Sequence, residues 1–401
     1  MTATTSSGAI TAAPGQTKAA RGGGPGAPAG SRAARLTSRD PDAFGLPTGR
    51  EEEWRFTPLD RFDGLLARIE NPVAPEVEVR APDGVEVSQL PVGAGGVGSV
   101  LAPADRVSVL ALVGVPTATV VSVPADTLLS EPVLVTVYAP AGRGYGHLLI
   151  DVGAGSVATV VVEHTGGGTL AANTELRVGD NAALTFVSVQ DAERTAVHVE
   201  AQAALVGRDA RLREIVVTLG GDVVRLTPSV RFAGPGGDAD LAGVFFTSSG
   251  QHHEHQLFID HQQPQCRSRV TYKGALQGAD AHSVWVGDVL IGAAADGTDT
   301  YELNRNLLLT EGARADSVPN LEIETGDVTN AGHASATGRF DEEQLFYCMA
   351  RGIPADEARR LVVRGFFADL LDRIEYESLR DRLATRIDAL LTENTLEASD
   401  G

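Results

Sequence analysis

Lysine is almost missing from this chain. Of 401 residues, only Lys18 and Lys273 carry an ammonium side chain, and neither precedes Ser or Thr. A phosphate-cradling Gly-Lys-(Ser/Thr) loop is therefore excluded, and with it a P-loop nucleotidase. Cysteine is equally scarce. Cys266 and Cys348 cannot build a disulfide framework, or an all-cysteine zinc or iron–sulfur site, within one chain. A reducing, cytoplasmic compartment is the plain expectation. Aromatics reach only 5%, and no stretch approaches 18 consecutive apolar residues. No charged start followed by an apolar run reads as a signal peptide, so neither a membrane association nor export is expected. Positive charge is in deficit: 53 acids face 33 bases, for a net charge of −20. Such a field repels phosphate backbones and argues against nucleic acid as a partner. A Gly-x-Ser-x-Gly nucleophile elbow is also absent.

What is present is Val, Leu, Ala and 45 glycines, arranged in distinct stretches. Residues 1–40 are rich in Gly, Ala, Pro and Ser, with five bases and one acid. They read as a disordered basic tail that has little to bury. Residues 41–76 form a compact helical or mixed segment around Trp54 and Phe56. From 77 to 338, short Val- and Leu-rich runs alternate with Gly, Pro and Asp turns, which is strand punctuation. A Gly-x-x-(Ala/Ser) pattern recurs from Gly153, Gly179, Gly207, Gly236, Gly278 and Gly312. A recurring turn of this kind predicts a stacked, parallel β-helix rather than a sandwich, which would turn more often. Over residues 339–401 helical spacing returns. Acids open one helix at Asp341, Pro354 suits the first turn of another, and Tyr376 to Leu390 form a third. The expected fold class is mainly β, a parallel right-handed β-helix with helical segments at both ends.

Candidate chemistry is sparse. Gly93 to Gly98 spells a dinucleotide-type glycine string, but Pro103 follows where its helix should run. His252-His253-Glu254-His255, with His261 and Cys266 downstream, offers metal-ligand types without a His-Glu-x-x-His spacing. On a strand, His253 and His255 would share a face, whereas a solvated turn is the plainer reading. Arg267 could lower the Cys266 thiol, although a lone cysteine is commonly a core filler. Cys348 lies in an apolar helical run and reads as packing.

The ordered motifs of the C-terminal half carry a resemblance. They are Asp260-His261, Pro264, Ser268, Tyr272-Lys273-Gly274, Asn304 to Leu309, Pro319 to Ile323, Asp327-Val328 with His333, Asp341 to Tyr347, and Ala350 to Ile353. With Leu46-Pro47 and Glu53 to Thr57 near the start, the chain resembles the SufB/SufD family of iron–sulfur cluster assembly proteins, SufD more than SufB. The resemblance implies a β-helix core and a non-catalytic scaffold role. It also implies pairing with a SufB-like subunit, docking of a SufC-like ATPase through the C-terminal helices, and sulfur supply from a cysteine desulfurase. Arg351-Gly352-Ile353 matches the family's hinge between helices, and Phe366, Phe367 and Leu370 exceed what a short cap needs for its own packing, so these six are the expected docking residues. A transient iron–sulfur cluster shared with the partner is implied, and a reduced flavin in the complex stays open. Family members commonly carry Cys-x-His after Asp-Val, but here Ala331 stands where the cysteine is usual, leaving His333 as the possible metal ligand. The alternative is a polysaccharide-active β-helix enzyme built on Asp296, Asp299 and Glu302.

Overall fold

The computed structural model describes residues 35–340 and 342–397. The chain opens with single 3-10 turns at Pro41–Ala43 and Leu59–Arg61, followed by β1 (Glu76–Arg80), β2 (Glu86–Leu90) and α1 (Arg106–Gly114). Then come β3 (Ala118–Val123), β4 (Val133–Tyr138), β5 (Arg143–Val152), β6 (Val157–Thr165), β7 (Thr169–Val178), β8 (Ala183–Gln190) and β9 (Val197–Val206). The run continues with β10 (Arg211–Thr218), β11 (Val223–Phe232), β12 (Asp238–Thr247), β13 (His252–His261) and β14 (Arg267–Leu276). It closes with β15 (His282–Ile291), β16 (Thr298–Leu308), β17 (Arg314–Ile323) and β18 (Val328–Arg339), and then α2 (Glu342–Met349), α3 (Ala355–Leu371) and α4 (Glu377–Glu397).

From β3 onward, odd- and even-numbered strands alternate between two nine-stranded sheets. Strands pair in parallel with the strand one coil away, as in β10 with β8 and β12, and only β1 and β2 join antiparallel at the N-terminal end. This is a parallel β-solenoid, as the sequence pattern predicts. Its period is held by a column of left-handed residues at the turn from the odd to the even sheet. Asp126, Gly155, Asn181, Asp209, Gly236, Gln265 and Gly297 all have φ between 53° and 76°. Each of their N–H groups donates to a carbonyl one coil on, from Asp126 to Ala154 through to Gly297 to Asp327. Only three of the seven are glycine, because Asp and Asn also tolerate this conformation. The glycines of the expected repeat therefore sit in different columns. Gly153, Gly179 and Gly207 share one, where an added Cβ would come within 2.4–2.8 Å of the neighbouring coil's backbone. Gly278 and Gly312 lie at the opposite turn, between even and odd strands.

Along each strand, alternate residues face the solenoid interior, where Val, Leu, Ile and Phe from both sheets form the largest core. Neither sheet leaves its outer face bare. Trp54, Phe62, Leu65, Val107 and Leu110 cover the odd sheet at Ala171, Val197, Val199 and Val223. On the even sheet, α3 and α4 pack Val363, Phe367, Leu370, Leu383 and Ile387 onto Val187, Ile215, Val217 and Val244.

The tail boundary expected at residue 40 moves. Residues 1–34 lie outside the described residues, but 35–40 already pack on the body. The Ser38 N–H bonds Pro103 O at 3.0 Å, Arg39 donates to Gly98 O, and the Arg35 guanidinium lies 5.4 Å from the centre of the Phe258 ring. A basic side chain can anchor a chain of low apolar content through carbonyls and ring faces, which composition alone does not show.

Candidate functional site

β17 and β18 are the last strands of their sheets, so among the described residues each keeps one backbone edge unpaired at the C-terminal end of the solenoid. The interior there carries polar side chains, Asn304, Asn306, Ser317 and Thr337, beside the half-buried Leu321 and Ala331. In-register partners point to one face, and His333 on β18 pairs with Glu302 on β16. Glu302 is 1% exposed, which marks this row as inward, while His333 is exposed because no further coil covers it. Below it, Asn306 Nδ2 donates to Asn304 Oδ1 at 2.8 Å, to Ser317 Oγ at 3.0 Å and to Thr337 Oγ1 at 3.3 Å. The Asn304-to-Asn306 motif thus ties β16, β17 and β18 together. Among the described residues, both Glu302 carboxyl oxygens lack a hydrogen-bond partner, and so does Trp285 Nε1 beside them. Burial, followed by the nearby Asp288 carboxylate, pushes Glu302 up to about 8, so at neutral pH it is largely a neutral acid. A histidine at the rim above a protonatable carboxyl can ligate a soft or borderline metal with a partner's thiolate, and it can exchange protons locally.

Glu302 is the residue that sequence reasoning missed in this role. Its strand reads Thr-Asp-Thr-Tyr-Glu-Leu-Asn-Arg-Asn, with polar residues on both faces, so alternation does not reveal which face is inward. The carboxylates of the polysaccharide alternative do not converge. Asp299 faces outward onto Arg269 at 2.5 Å, Asp296 bonds Thr325 at the surface, and Glu302 is inside.

The other docking and site candidates separate by burial. Phe367 and Leu370 are 0% exposed and belong to the chain's own core, so they are corrected from partner contacts to supports of α3. Phe366 is half-buried. Its carbonyl accepts from Lys273 Nζ at 2.8 Å, and the same ammonium pairs with Asp369 at 2.6 Å, so the motif lysine clamps α3. Arg351 and Gly352 are exposed and Ile353 is half-buried, with the Arg351 guanidinium 3.5 Å from the centre of the Tyr347 ring; Phe346, Tyr347 and Met349 of α2 and Leu361 of α3 are exposed apolar residues.

The histidine run forms neither a turn nor a ligand set. On β13, His253 and His255 do share the inward face, where burial lowers both to about 3. His253 bonds Thr247 and Gly220 O, and His255 bonds Thr218 at 2.9 Å. On the outer face, His252 and Arg225 both hold the Glu254 carboxylate, at 2.9 and 3.1 Å. The glycine string is a loop whose Gly98, Val100 and Leu101 N–H groups donate to Glu175, an internal carboxylate in the place a phosphate would take. Burial pushes the Cys266 thiol up, and Arg267 pairs with Asp238 rather than activating it. Among the described residues, no helix is long and apolar enough to cross a membrane.

A sequence model of the SUF system FeS cluster assembly SufBD core domain matches residues 137–366, which is the solenoid from β4 into α3. An iron–sulfur cluster assembly SufBD family protein of Mycobacterium tuberculosis is 51% identical over 90% of this chain and 94% of its own length. The chain belongs to the SufB/SufD family. SufD proteins of Bacillus subtilis and Escherichia coli are more distant, at 31% and 27% identity over 53% and 61% of this chain. Within a SufB/SufD protein, the motifs that carried the resemblance take physical roles: Asn304 and Asn306 floor the open end, Lys273 clamps α3, and His333 stands at the rim.

Proposed function

We propose that this chain is a SufD-like, non-catalytic subunit of a cytoplasmic SufB–SufC–SufD iron–sulfur assembly scaffold. The open solenoid end, with unpaired β17 and β18 edges, pairs with a SufB-like subunit. His333 contributes one ligand to a cluster held transiently between the two chains, and the partner supplies a thiolate where this chain has Ala331. The exposed face formed by Phe346, Tyr347, Met349, Leu361 and the Arg351-Gly352-Ile353 turn docks a SufC-like ATPase, and a cysteine desulfurase supplies sulfur to the assembled complex. The single observation that supports this reading is the C-terminal end of the solenoid, where among the described residues the edges of the two long strands β17 and β18 lie unpaired around one exposed histidine. Sheet edges of this kind pair readily with a second chain. Co-expression with SufB-like and SufC-like proteins tests it. The chain should co-purify with both, and acid-labile sulfide with its matching iron should appear in the complex, whereas the chain alone should carry no acid-labile sulfide. Purification of the chain free of both partners would contradict it.

A further inference from the structure

We propose that the solenoid interior holds a separate metal site, in which His164, His198 and Glu200 bind one divalent first-row transition ion. His164 lies near the end of β6, while His198 and Glu200 lie near the start of β9, all on the inward rows. The three residues are 6%, 4% and 2% exposed, and their donor atoms all lie within 4.8 Å of one another. Ligands of one ion bonded at ~2.0–2.2 Å stand roughly 3–3.5 Å apart, so side-chain shifts on the order of 1 Å close the set. None of these residues belongs to the open end or to the His333 site.

The hydrogen bonds around the three orient their lone pairs. Gln190 donates its amide to Ser188 at 2.9 Å, which turns Gln190 Oε1 toward His198 Nδ1 at 2.7 Å. That nitrogen then carries the proton, and His198 Nε2 is left with its lone pair and no hydrogen-bond partner, 3.7 Å from Glu200 Oε2. His164 also hydrogen-bonds Gln190, and its Nδ1 has no partner. The Glu200 carboxylate is fixed by Thr174 at 2.6 Å and Gln202 at 2.9 Å, both neutral donors. Among the described residues, its one ion-pair neighbour is His198. A buried carboxylate facing two orphaned imidazole nitrogens is costly as it stands, and a dication answers all three deficits together. A cavity of about 20 Å³ adjoins the cluster, bordered by His164, Thr174 and Glu200 with His198 outside its lining. Two imidazoles with one carboxylate suit Zn2+ or Fe2+ over Mg2+ or Ca2+. Gln190, Thr174 and Gln202 are the outer partners that such ligands normally have.

The test uses the full-length protein, stripped with a chelator and titrated with Zn2+, Co2+ or anaerobic Fe2+. One ion should bind per chain, Co2+ should develop visible ligand-field bands, and the thermal midpoint should rise. His198→Asn keeps an amide for Gln190 but lacks the Nε2 donor, and Glu200→Gln keeps the shape without the charge. Each should abolish stoichiometric uptake, while Gln190→Leu should weaken it by roughly 10–100-fold. Should the His198 variant fail to fold, X-ray absorption of the zinc-loaded wild type decides. Imidazole and carboxylate scatterers at ~2.0–2.2 Å support the site, and sulfur in the first shell overturns it. No uptake by the wild type, uptake undiminished in both ligand variants, or uptake lost in His333→Ala instead would each overturn the proposal.

Discussion

Arg225 carries the join between the N-terminal layer and the solenoid. It is 1% exposed, pairs with Glu254 at 3.1 Å and Asp105 at 3.2 Å, and lies 4.1 Å from the centre of the Trp54 ring. Arg225→Ala would leave two carboxylates without their cation and the indole without its cover. Unfolding in urea should show a loss of about 3–5 kcal/mol. A change below ~1 kcal/mol would mean that His252 and Thr57 suffice for Glu254. Individual residues were legible in the sequence only where their chemistry is one-sided. Alternation placed His253 and His255 on a common face, but it could not show that the face is a dry interior, because a run of four polar residues suits a turn equally well. Glu302 was illegible in its role for a related reason: polar residues flank it on both faces of its strand.

At the scale of elements, the C-terminal helices show two kinds of aromatic. Phe367 seals the outer face of the even sheet, whereas Phe346 projects from α2 at 72% exposure. Phe367→Ala should cost about 3–5 kcal/mol in urea unfolding. Phe346→Glu should leave stability within about 0.5 kcal/mol and reduce recovery of the SufC-like subunit in pull-downs. Equal recovery with the Phe346 variant would remove α2 from the docking surface. Deleting residues 354–401 would strip both α3 and α4 from the even sheet, so aggregation is the expected outcome rather than a folded β body. Helical periodicity gave the existence of α2, α3 and α4 correctly. It did not say which apolar stripe is buried, because Phe366, Phe367 and Leu370 read identically as core or as contact surface until the sheet beneath them is known.

For the whole molecule, a sealed core with buried titratable groups has a pH signature. His253, His255 and His261 sit at about 3, 3 and 4 in the folded protein, all lowered by burial from an ordinary 6.5. Below about 6.5 the unfolded chain takes protons that these imidazoles refuse, so stability falls as pH falls toward 3. Glu214 and Glu302 stand at about 8, raised by burial from 4.5. The folded state keeps those protons, so stability falls as pH rises from 4.5 through 8. Burial lowers His164, His198 and His282 as well, so between 4.5 and 6.5 six imidazoles oppose two carboxyls, and above 6.5 the two carboxyls prevail. Urea midpoints should therefore peak near pH 6.5, and Glu302→Gln should flatten the alkaline limb by about half. A midpoint that climbs steadily to pH 8 would contradict the assignment of neutral buried carboxyls. The solenoid itself was legible because its period survives in the sequence. The glycine register was blurred because Asp126, Asn181, Asp209 and Gln265 do the same conformational work as Gly155, Gly236 and Gly297.

The proposed function puts cluster chemistry at the C-terminal end of the solenoid, at His333. Iron and sulfide per complex, measured on the assembled three-protein complex with wild type and with His333→Ala at equal subunit stoichiometry, decide whether His333 is a ligand. A sharp fall in both with the complex intact is the expected result. Unchanged iron and sulfide in the His333→Ala complex would contradict it.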